Sequence, residues 1–190
     1  MRAAETFWRL GYEGASIVDL TAAMGITPQS LYGAFGSKAE LYRQALSQYK
    51  ATAGAFAMRA LAEEPTAAGA ITRLLREAAH EFCRPDRLPG CMISTGAIAC
   101  AEDHAEITDH VAALRAEMLG GIAGRLARGV AEGDLAASAD PARLARYVQA
   151  ILQGMSLQAT DGAGEDDLAA IADVACTAIE KHALKAPARA

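Results

Sequence analysis

The sequence predicts an all-α protein of about nine helices, and two features of its composition support this prediction. Ala, Leu, Arg and Glu, which favour helices, are abundant, and no stretch alternates Val, Ile or Thr with polar residues as a strand would. Apolar residues make up 52% of the 190 residues, which is ample for a buried core. This length suits one large domain, or a small domain joined to a larger one.

Hydropathy and charge narrow the class of protein. No uncharged run reaches the roughly 18 apolar residues of a membrane span, and the N-terminus lacks a signal peptide's apolar core. We therefore expect a soluble, cytoplasmic protein with no membrane partner. The net charge is −5, but residues 1–50 hold five basic and four acidic side chains, so the acidic excess lies in the rest of the chain. This asymmetry favours the first 50 residues as the part that meets a polyanion.

Two short helices are predicted before residue 26. The first ends at Gly11, a residue that readily adopts the left-handed conformation of a helix cap, and its apolar side consists of Ala3, Phe7 and Leu10, with Trp8 alongside. Ser16 begins the second helix, with Asp19 three residues later as an acidic variant of the capping box. Gly25 ends this helix, and its expected buried residues are Ile17, Leu20 and Met24.

A third helix is predicted from Pro28 to about Phe35. Thr27 is its N-cap, Pro28 occupies the first helical position, where no N–H is needed, and Gly36 closes the helix. Leu31 and Phe35 are four residues apart and face the core. The positions that point elsewhere are Gln29, Ser30, Tyr32 and Gly33.

Two short helices joined by a tight glycine turn, with a helix before and after, predict a helix-turn-helix, whose second helix enters the major groove of DNA. Gln29 can pair its amide with adenine, Ser30 can hydrogen-bond to a base, and Tyr32 and Lys38 can reach phosphates. The candidate DNA contacts are Ser16, Thr27, Pro28, Gln29, Ser30, Tyr32, Gly33 and Lys38. The alternative is a small helical subdomain that binds nothing and whose Gln29 and Ser30 are only solvated.

The segment from Ser16 to Tyr42, SIVDLTAAMGITPQSLYGAFGSKAELY, resembles the DNA-binding segment of the TetR family of transcriptional regulators. The shared features are an Asp-Leu-Thr second helix, the turn at Gly25, Leu-Tyr-x-x-Phe in the third helix and the Ser-Lys-x-Glu-Leu start of a fourth. The resemblance implies a homodimeric transcriptional repressor that binds a palindromic operator in double-stranded DNA. It also implies a small-molecule effector, which the sequence does not identify.

One departure from the family supports an alternative function. TetR-like proteins usually carry a basic segment and a longer first helix ahead of the position at which this chain begins. We therefore expect either a weaker hold on phosphates or a native start codon upstream of Met1. With the acidic balance, this departure supports a helical small-molecule carrier or sensor whose DNA-binding region no longer functions.

Six further helices are expected, in a ligand-binding and dimerisation domain of residues 46–184 that follows a DNA-binding domain of residues 1–45. Ser37 and Glu40 form a capping box at the start of the fourth helix, and Asp140 with Pro141 begins the eighth. The expected helices are residues 37–61, 66–84, 91–101, 103–133, 141–160, and a ninth that follows the acidic loop 161–167 and ends near 184. Residues 185–190 are expected to be a disordered tail.

The resemblance also implies roles for these helices. In TetR-like proteins, helices eight and nine pair with their two-fold mates, and helices four to seven enclose a ligand. The candidate dimer contacts are Tyr147, Ile151, Met155, Ile171, Ala175 and Ile179. The candidate ligand contacts are Phe56, Phe82, Cys91, Met92, Thr95, Met118 and Gln153. The alternative for both sets is that these side chains form the core of their own chain.

The four cysteines leave three hypotheses open, since a cytosolic chain favours thiols over disulfides. In the first, all four are ordinary buried thiols. In the second, Cys91 senses oxidants or electrophiles, because it lies at the expected start of a helix whose dipole favours a thiolate. In the third, Cys83, Cys91 and Cys100 bind a soft metal together with a histidine. No compact Cys-x-x-Cys spacing supports the metal site, so we expect no metal and no cofactor. No phosphate-binding loop, Ser-His-Asp set or carboxylate pair stands out, so we expect no enzyme.

Overall fold

The computed structural model describes residues 2–98 and 100–184, and these residues form nine α-helices. The helices are α1 (Arg2–Gly14), α2 (Ile17–Met24), α3 (Pro28–Phe35), α4 (Lys38–Ala51), α5 (Ala55–Glu63), α6 (Ala67–Phe82), α7 (Ala105–Glu132), α8 (Pro141–Thr160) and α9 (Glu165–Glu180). This confirms the all-α prediction, with an N-terminal helix-turn-helix and a larger helical domain. The predicted disordered tail, 185–190, lies outside the described residues.

The N-terminal helices enclose a small aromatic core. Phe7 of α1 and Leu31 of α3 are buried, and the Phe7 ring meets the edge of Tyr42 of α4 with ring centroids 4.8 Å apart. Leu10 differs from the prediction, because it is 40% exposed. Gly11, at φ +71°, bends α1 rather than ending it, and the helix continues to Gly14.

The predicted caps of α2 and α3 are present. The Ser16 hydroxyl accepts from Asp19 N at 3.1 Å and the Asp19 carboxylate accepts from Ser16 N at 3.0 Å, which completes the capping box. Gly25 closes α2 at φ +70°, and the Thr27 hydroxyl caps α3 by accepting from Ser30 N at 3.1 Å. At α4 only half of the second box forms, where Ser37 Oγ accepts from Glu40 N at 3.0 Å. These local bonds fix where each short helix begins.

The helix expected over 37–61 is broken, which corrects the sequence prediction. α4 ends at Ala51 and α5 begins at Ala55, because the N–H groups of Thr52 and Gly54 both turn back to the Tyr49 carbonyl, at 3.1 and 2.8 Å. The turn packs tightly on the ring of Tyr49, since a Cβ at Gly54 would lie 3.1 Å from it. The break redirects the chain around the end of α4.

The helix expected over 91–101 is also absent, and residues 91–98 form consecutive turns. Gly90, at φ +77°, packs so tightly on α8 that a Cβ would lie 2.6 Å from the Ser156 carbonyl oxygen. Beside it, Cys91 N donates to Ser156 Oγ at 2.8 Å. Docking on α8 therefore replaces the local hydrogen bonds that a helix would use. The prediction failed here because these partners lie 65 residues away in sequence.

The larger domain is built around α6, which packs against α5, α7, α8 and α9. Its buried side chains include Ile71, Leu74 and Leu75. Asp140 caps α8 as predicted, accepting from the N–H groups of Ala142 and Arg143 at 3.1 Å. α9 ends at Glu180, short of the expected residue 184, and the following residues form an isolated antiparallel bridge at Ala183. Over the described ranges, no helix is long and apolar enough to cross a bilayer.

Candidate functional site

The predicted recognition helix, α3, presents a solvent-exposed polar face. Gln29 and Ser30 are exposed in its first turn, and Tyr32 is 48% exposed. The Ser30 hydroxyl lies 2.9 Å from Thr27 Oγ1, so these two side chains pair with each other. No heavy atom lies within 4 Å of the position that a Cβ would take at Gly33, so the backbone is open to a partner there. The amide of Gln29 is the group on this face that can pair with a base through two hydrogen bonds.

Two other predicted DNA contacts flank α3. The Ser16 hydroxyl lies 2.5 Å from the Asp19 carboxylate at the start of α2, and Pro28 is exposed at the start of α3. Val18, an exposed residue in the first turn of α2, was not predicted as part of this surface. Val18 and Leu20 are two residues apart, so they lie on opposite sides of α2. Because Leu20 was predicted to be buried, this spacing already indicated that Val18 is exposed. These residues lie on two adjacent helix starts, whose N–H groups suit phosphates.

Lys38 is not extended towards solvent in this structure. Its ammonium group lies over the Tyr12 ring, 4.5 Å from the centroid, and burial lowers the pKa of Lys38 while the nearby Glu13 carboxylate opposes that shift. A phosphate contact therefore requires the flexible side chain to leave the ring. Neither Tyr12 nor Glu13 was among the predicted site residues.

A polar clamp joins the end of α1 to the segment before α7. The Glu13 carboxylate accepts from Ala101 N at 2.9 Å and pairs with His104 Nδ1 at 2.8 Å. These hydrogen bonds, from His104 first and Ala101 second, lower the pKa of Glu13. Nearby, Arg43 of α4 pairs with Glu106 of α7 at 2.9 Å. The helix-turn-helix is thus tied to the larger domain by contacts that no local sequence pattern reveals.

A cavity of about 80 Å³ lies between α4, α5, α6, α7, α8 and residues 91–94. Five of the predicted ligand contacts line it: Phe56, Phe82, Cys91, Met118 and Gln153. Met92 and Thr95 do not, which corrects the prediction for both. Met92 packs into the N-terminal core, and the Thr95 hydroxyl donates to the Cys91 carbonyl at 3.0 Å. Both assignments assumed a helix over residues that form turns instead.

The cavity wall also carries polar side chains that the sequence did not single out. Arg115 Nη1 donates to the carbonyls of Ile93 and Gly96 at 3.2 and 3.0 Å, and Gln149 Nε2 donates to the Arg115 carbonyl at 2.9 Å. Gln149 Oε1 is buried without a donor among the described residues. The remaining wall is mostly apolar. Such a cavity suits an apolar molecule with few polar groups.

The thiols lie in different surroundings. Cys91 stands at the start of a turn and not of a helix, so the helix-dipole argument does not apply, although its sulfur accepts from Ser94 N at 3.5 Å. Burial raises the pKa of Cys83 and of Cys176. In the part of the chain that the structure describes, no group of three or more His, Cys, Asp or Glu side chains is placed to hold a metal ion.

The outer face of α8 and α9 contains half of the predicted dimer contacts. Tyr147, Ile151 and Ile171 are half-buried at the surface of the protomer. Met155, Ala175 and Ile179 are fully buried in the core of their own chain and offer no surface to a partner. Two exposed apolar residues were not predicted, Leu157 at 54% and Val174 at 72% exposure.

Comparisons with known proteins agree with this architecture. Residues 2–45 match the bacterial regulatory proteins of the tetR family, and residues 70–162 match the tetracyclin repressor-like C-terminal domain. The HTH-type transcriptional repressor ComR of Escherichia coli K12 is 28% identical over 172 residues, which span 90% of this chain and 82% of ComR.

Solved structures are similar over nearly the whole chain. The TetR family transcriptional regulator CifR, a cysteine mutant complexed with 26-bp double-strand operator DNA, is 38% identical with a TM-score of 0.90, over 93% of each chain. A TetR transcriptional regulator from Chloroflexus aurantiacus is 25% identical with a TM-score of 0.82, over 97% of this chain and 93% of that one. With both domains matched and this likeness extending along its length, the chain belongs to the TetR family of bacterial transcriptional regulators.

Proposed function

We propose that two copies of this chain bind one palindromic operator in double-stranded DNA and repress transcription until an effector releases them. The observation that carries the proposal is α3: Thr27 caps it, Leu31 anchors it in the core, and Gln29 and Tyr32 point to solvent. This is the arrangement in which a recognition helix reads the major groove. The related regulator CifR was solved with operator DNA, which supports the same partner here.

Within this proposal the polar residues have different roles. Gln29 reads a base, because an amide can pair with adenine through two hydrogen bonds and its side chain is exposed. Ser16, Thr27, Pro28 and Ser30 lie at the helix starts and position the backbone of the DNA, with Gly33 allowing close approach. Tyr32 contacts a phosphate, and Lys38 joins it once released from Tyr12.

The dimer is proposed to form through α8 and α9. Val174 and Leu157 expose apolar surface on these two helices, which also carry the half-buried Tyr147, Ile151 and Ile171. Burying such a patch against its two-fold copy removes apolar area from water. A two-fold dimer places its recognition helices about 34 Å apart, one turn of DNA, so the operator is a palindrome.

The effector is proposed to be a small, mostly apolar molecule bound in the 80 Å³ cavity. Filling the cavity favours a conformation in which α4 has moved and the recognition helices no longer match successive grooves. Cys91 lines the same cavity, so a thiol-reactive effector that attaches there is a second form of this proposal. Treating wild-type and Cys91→Ser protein with an oxidant separates the two forms. Equal release of DNA by both proteins would count against sensing at Cys91.

Fluorescence anisotropy tests the proposal. Purified protein is titrated onto labelled DNA from upstream of its own gene and onto scrambled DNA, over a series of salt concentrations. We expect tight binding to the upstream fragment alone, with two protomers per site and an affinity that falls as salt rises. Weak and equal binding to both fragments would instead favour a carrier or sensor that does not read DNA.

A further inference from the structure

Tyr49 occupies the point where the cavity, the end of α4 and the DNA-binding helices meet. It is buried in the last turn of α4, and with Phe56 it lines both the cavity and a second crevice between α1, α4, α5 and the segment after α6. Trp8 of α1 lies across that crevice. The centroid of its ring lies 5.0 Å from the centroid of the Tyr49 ring, and the two rings are nearly perpendicular, at 83°. Two aromatic side chains therefore lie between the cavity and the crevice, and Tyr49 is the one whose ring packs against Trp8.

Tyr49 also lies beside the cavity lining and beside the turn that follows α4. Cys91 lines the same cavity as Tyr49, and burial raises the pKa of the Tyr49 phenol well above its ordinary value. The Tyr49 carbonyl accepts the two N–H groups that end α4, and Gly54 leaves just enough room for its ring. Close-packed side chains pass a displacement to their neighbours, because few voids are available to absorb it.

We propose that Tyr49 couples the cavity to α1 through Trp8. A group that occupies the cavity moves the Tyr49 ring, and the ring moves Trp8 and with it the first helix of the DNA-binding domain. The consequence for DNA rests on the function proposed above, whereas the contact itself is independent of DNA. Trp8 is the single tryptophan of the chain, so its emission reports the contact directly.

The test fills the cavity covalently, with no need to know the natural effector. Cys83, Cys100 and Cys176 are replaced by Ser, and the remaining Cys91 is labelled with benzyl methanethiosulfonate or with the smaller methyl methanethiosulfonate. Mass spectrometry confirms each label. We expect the benzyl label to shift the emission of Trp8 and to weaken DNA binding, by about 5-fold to 150-fold, the usual range of allosteric coupling. The methyl label should have a smaller effect on both.

Two substitutions of Tyr49 supply the matched controls. Tyr49→Phe keeps the ring against Trp8 and should keep the emission shift, whereas Tyr49→Leu removes the ring and should abolish the shift although the label still attaches. No emission shift in the labelled Cys91-only protein, or an equal shift in Tyr49→Leu, would overturn the proposal. A shift without any specific DNA binding would leave the coupling intact and reject the proposed function instead.

A second variant tests the contact if Tyr49→Leu does not fold. Gly54→Ala places a Cβ 3.1 Å from the Tyr49 ring. Gly54 lies in the turn between α4 and α5, outside the DNA-binding domain. The proposal requires this variant to change Trp8 emission in unlabelled protein, since the ring must shift by a few tenths of an ångström. Unchanged emission in folded Gly54→Ala, as judged by circular dichroism, would contradict the coupling.

Discussion

Adjacent polar residues on α3 differ in their freedom to contact a base. Ser30 is committed twice to Thr27, through its backbone N–H at 3.1 Å and its hydroxyl at 2.9 Å. Gln29 is exposed and extends further from the helix axis. Replacing a residue that reads a base and one that contacts a phosphate should therefore have separable effects.

Gln29→Ala should reduce the preference for the operator, because a bidentate amide–adenine pair contributes roughly 1–3 kcal/mol of discrimination. Lys38→Ala should instead weaken operator and scrambled DNA alike and reduce the slope of log affinity against log salt by about 1. Anisotropy titrations at several salt concentrations measure both quantities. Equal losses by Gln29→Ala on operator and scrambled DNA would show that Gln29 does not read a base.

Gly90 provides a second prediction at the scale of one residue. Gly90→Ala should destabilise the protein, because alanine is strained at φ +77° and its Cβ would lie 2.6 Å from the Ser156 carbonyl oxygen. Gly133→Ala is the matched control, since Gly133 has φ +78° with nothing within 4 Å of its added Cβ. In urea titrations, we expect Gly90→Ala to lower the free energy of unfolding by about 1–3 kcal/mol more than Gly133→Ala does. Equal losses would mean that docking on α8 does not restrict this position.

At the scale of secondary-structure elements, local sequence signals predicted the short helices but failed for residues 91–98, which dock on α8. Ser16 with Asp19, and Thr27 with Pro28, lie within a few residues of the helices that they start, so their bonds can be inferred from spacing. The turns at 91–98 depend on Ser156, and the clamp joins Glu13 to His104 across 91 residues. Such partners are set by tertiary packing, which overrides local propensity and which spacing does not encode.

The clamp between α1 and the segment before α7 should titrate in acid. Because hydrogen bonds lower the pKa of Glu13, the clamp stabilises the folded state above the carboxyl group's ordinary value of 4.5 and loses that contribution as pH falls through the lower folded value. Carbon-detected NMR of the Glu13 carboxyl group should therefore give a midpoint below 4.5. His104→Ala should raise the midpoint, since His104 is the main cause of the shift. An unaltered midpoint in His104→Ala would show that His104 does not cause the lowered pKa of Glu13.

At the scale of the whole molecule, every proposed step depends on a fixed distance between two recognition helices. A single protomer offers one short helix and few contacts to phosphates, whereas two rigidly joined protomers bind successive grooves as one unit. In the proposed dimer, α8 and α9 therefore determine operator binding without touching DNA. The resemblance assigned the dimer interface to these helices, but half of the residues chosen on them face inward, because period alone does not distinguish the core side of a helix from its partner side.

Val174→Glu should separate the dimer while leaving the protomer folded. Val174 is 72% exposed in the protomer, so the charge is solvated until a partner buries it, and an unpaired buried charge costs roughly 3 kcal/mol or more. We expect the dimer dissociation constant to rise by at least about 100-fold in sedimentation experiments, with specific DNA binding lost in parallel. Val18→Glu is the matched control for dimerisation alone, because Val18 is 73% exposed on α2, which packs against α1 and α3, so this variant should remain dimeric. A dimeric Val174→Glu protein would place the two-fold interface elsewhere on the surface, and the groove spacing would then have to be derived from that interface.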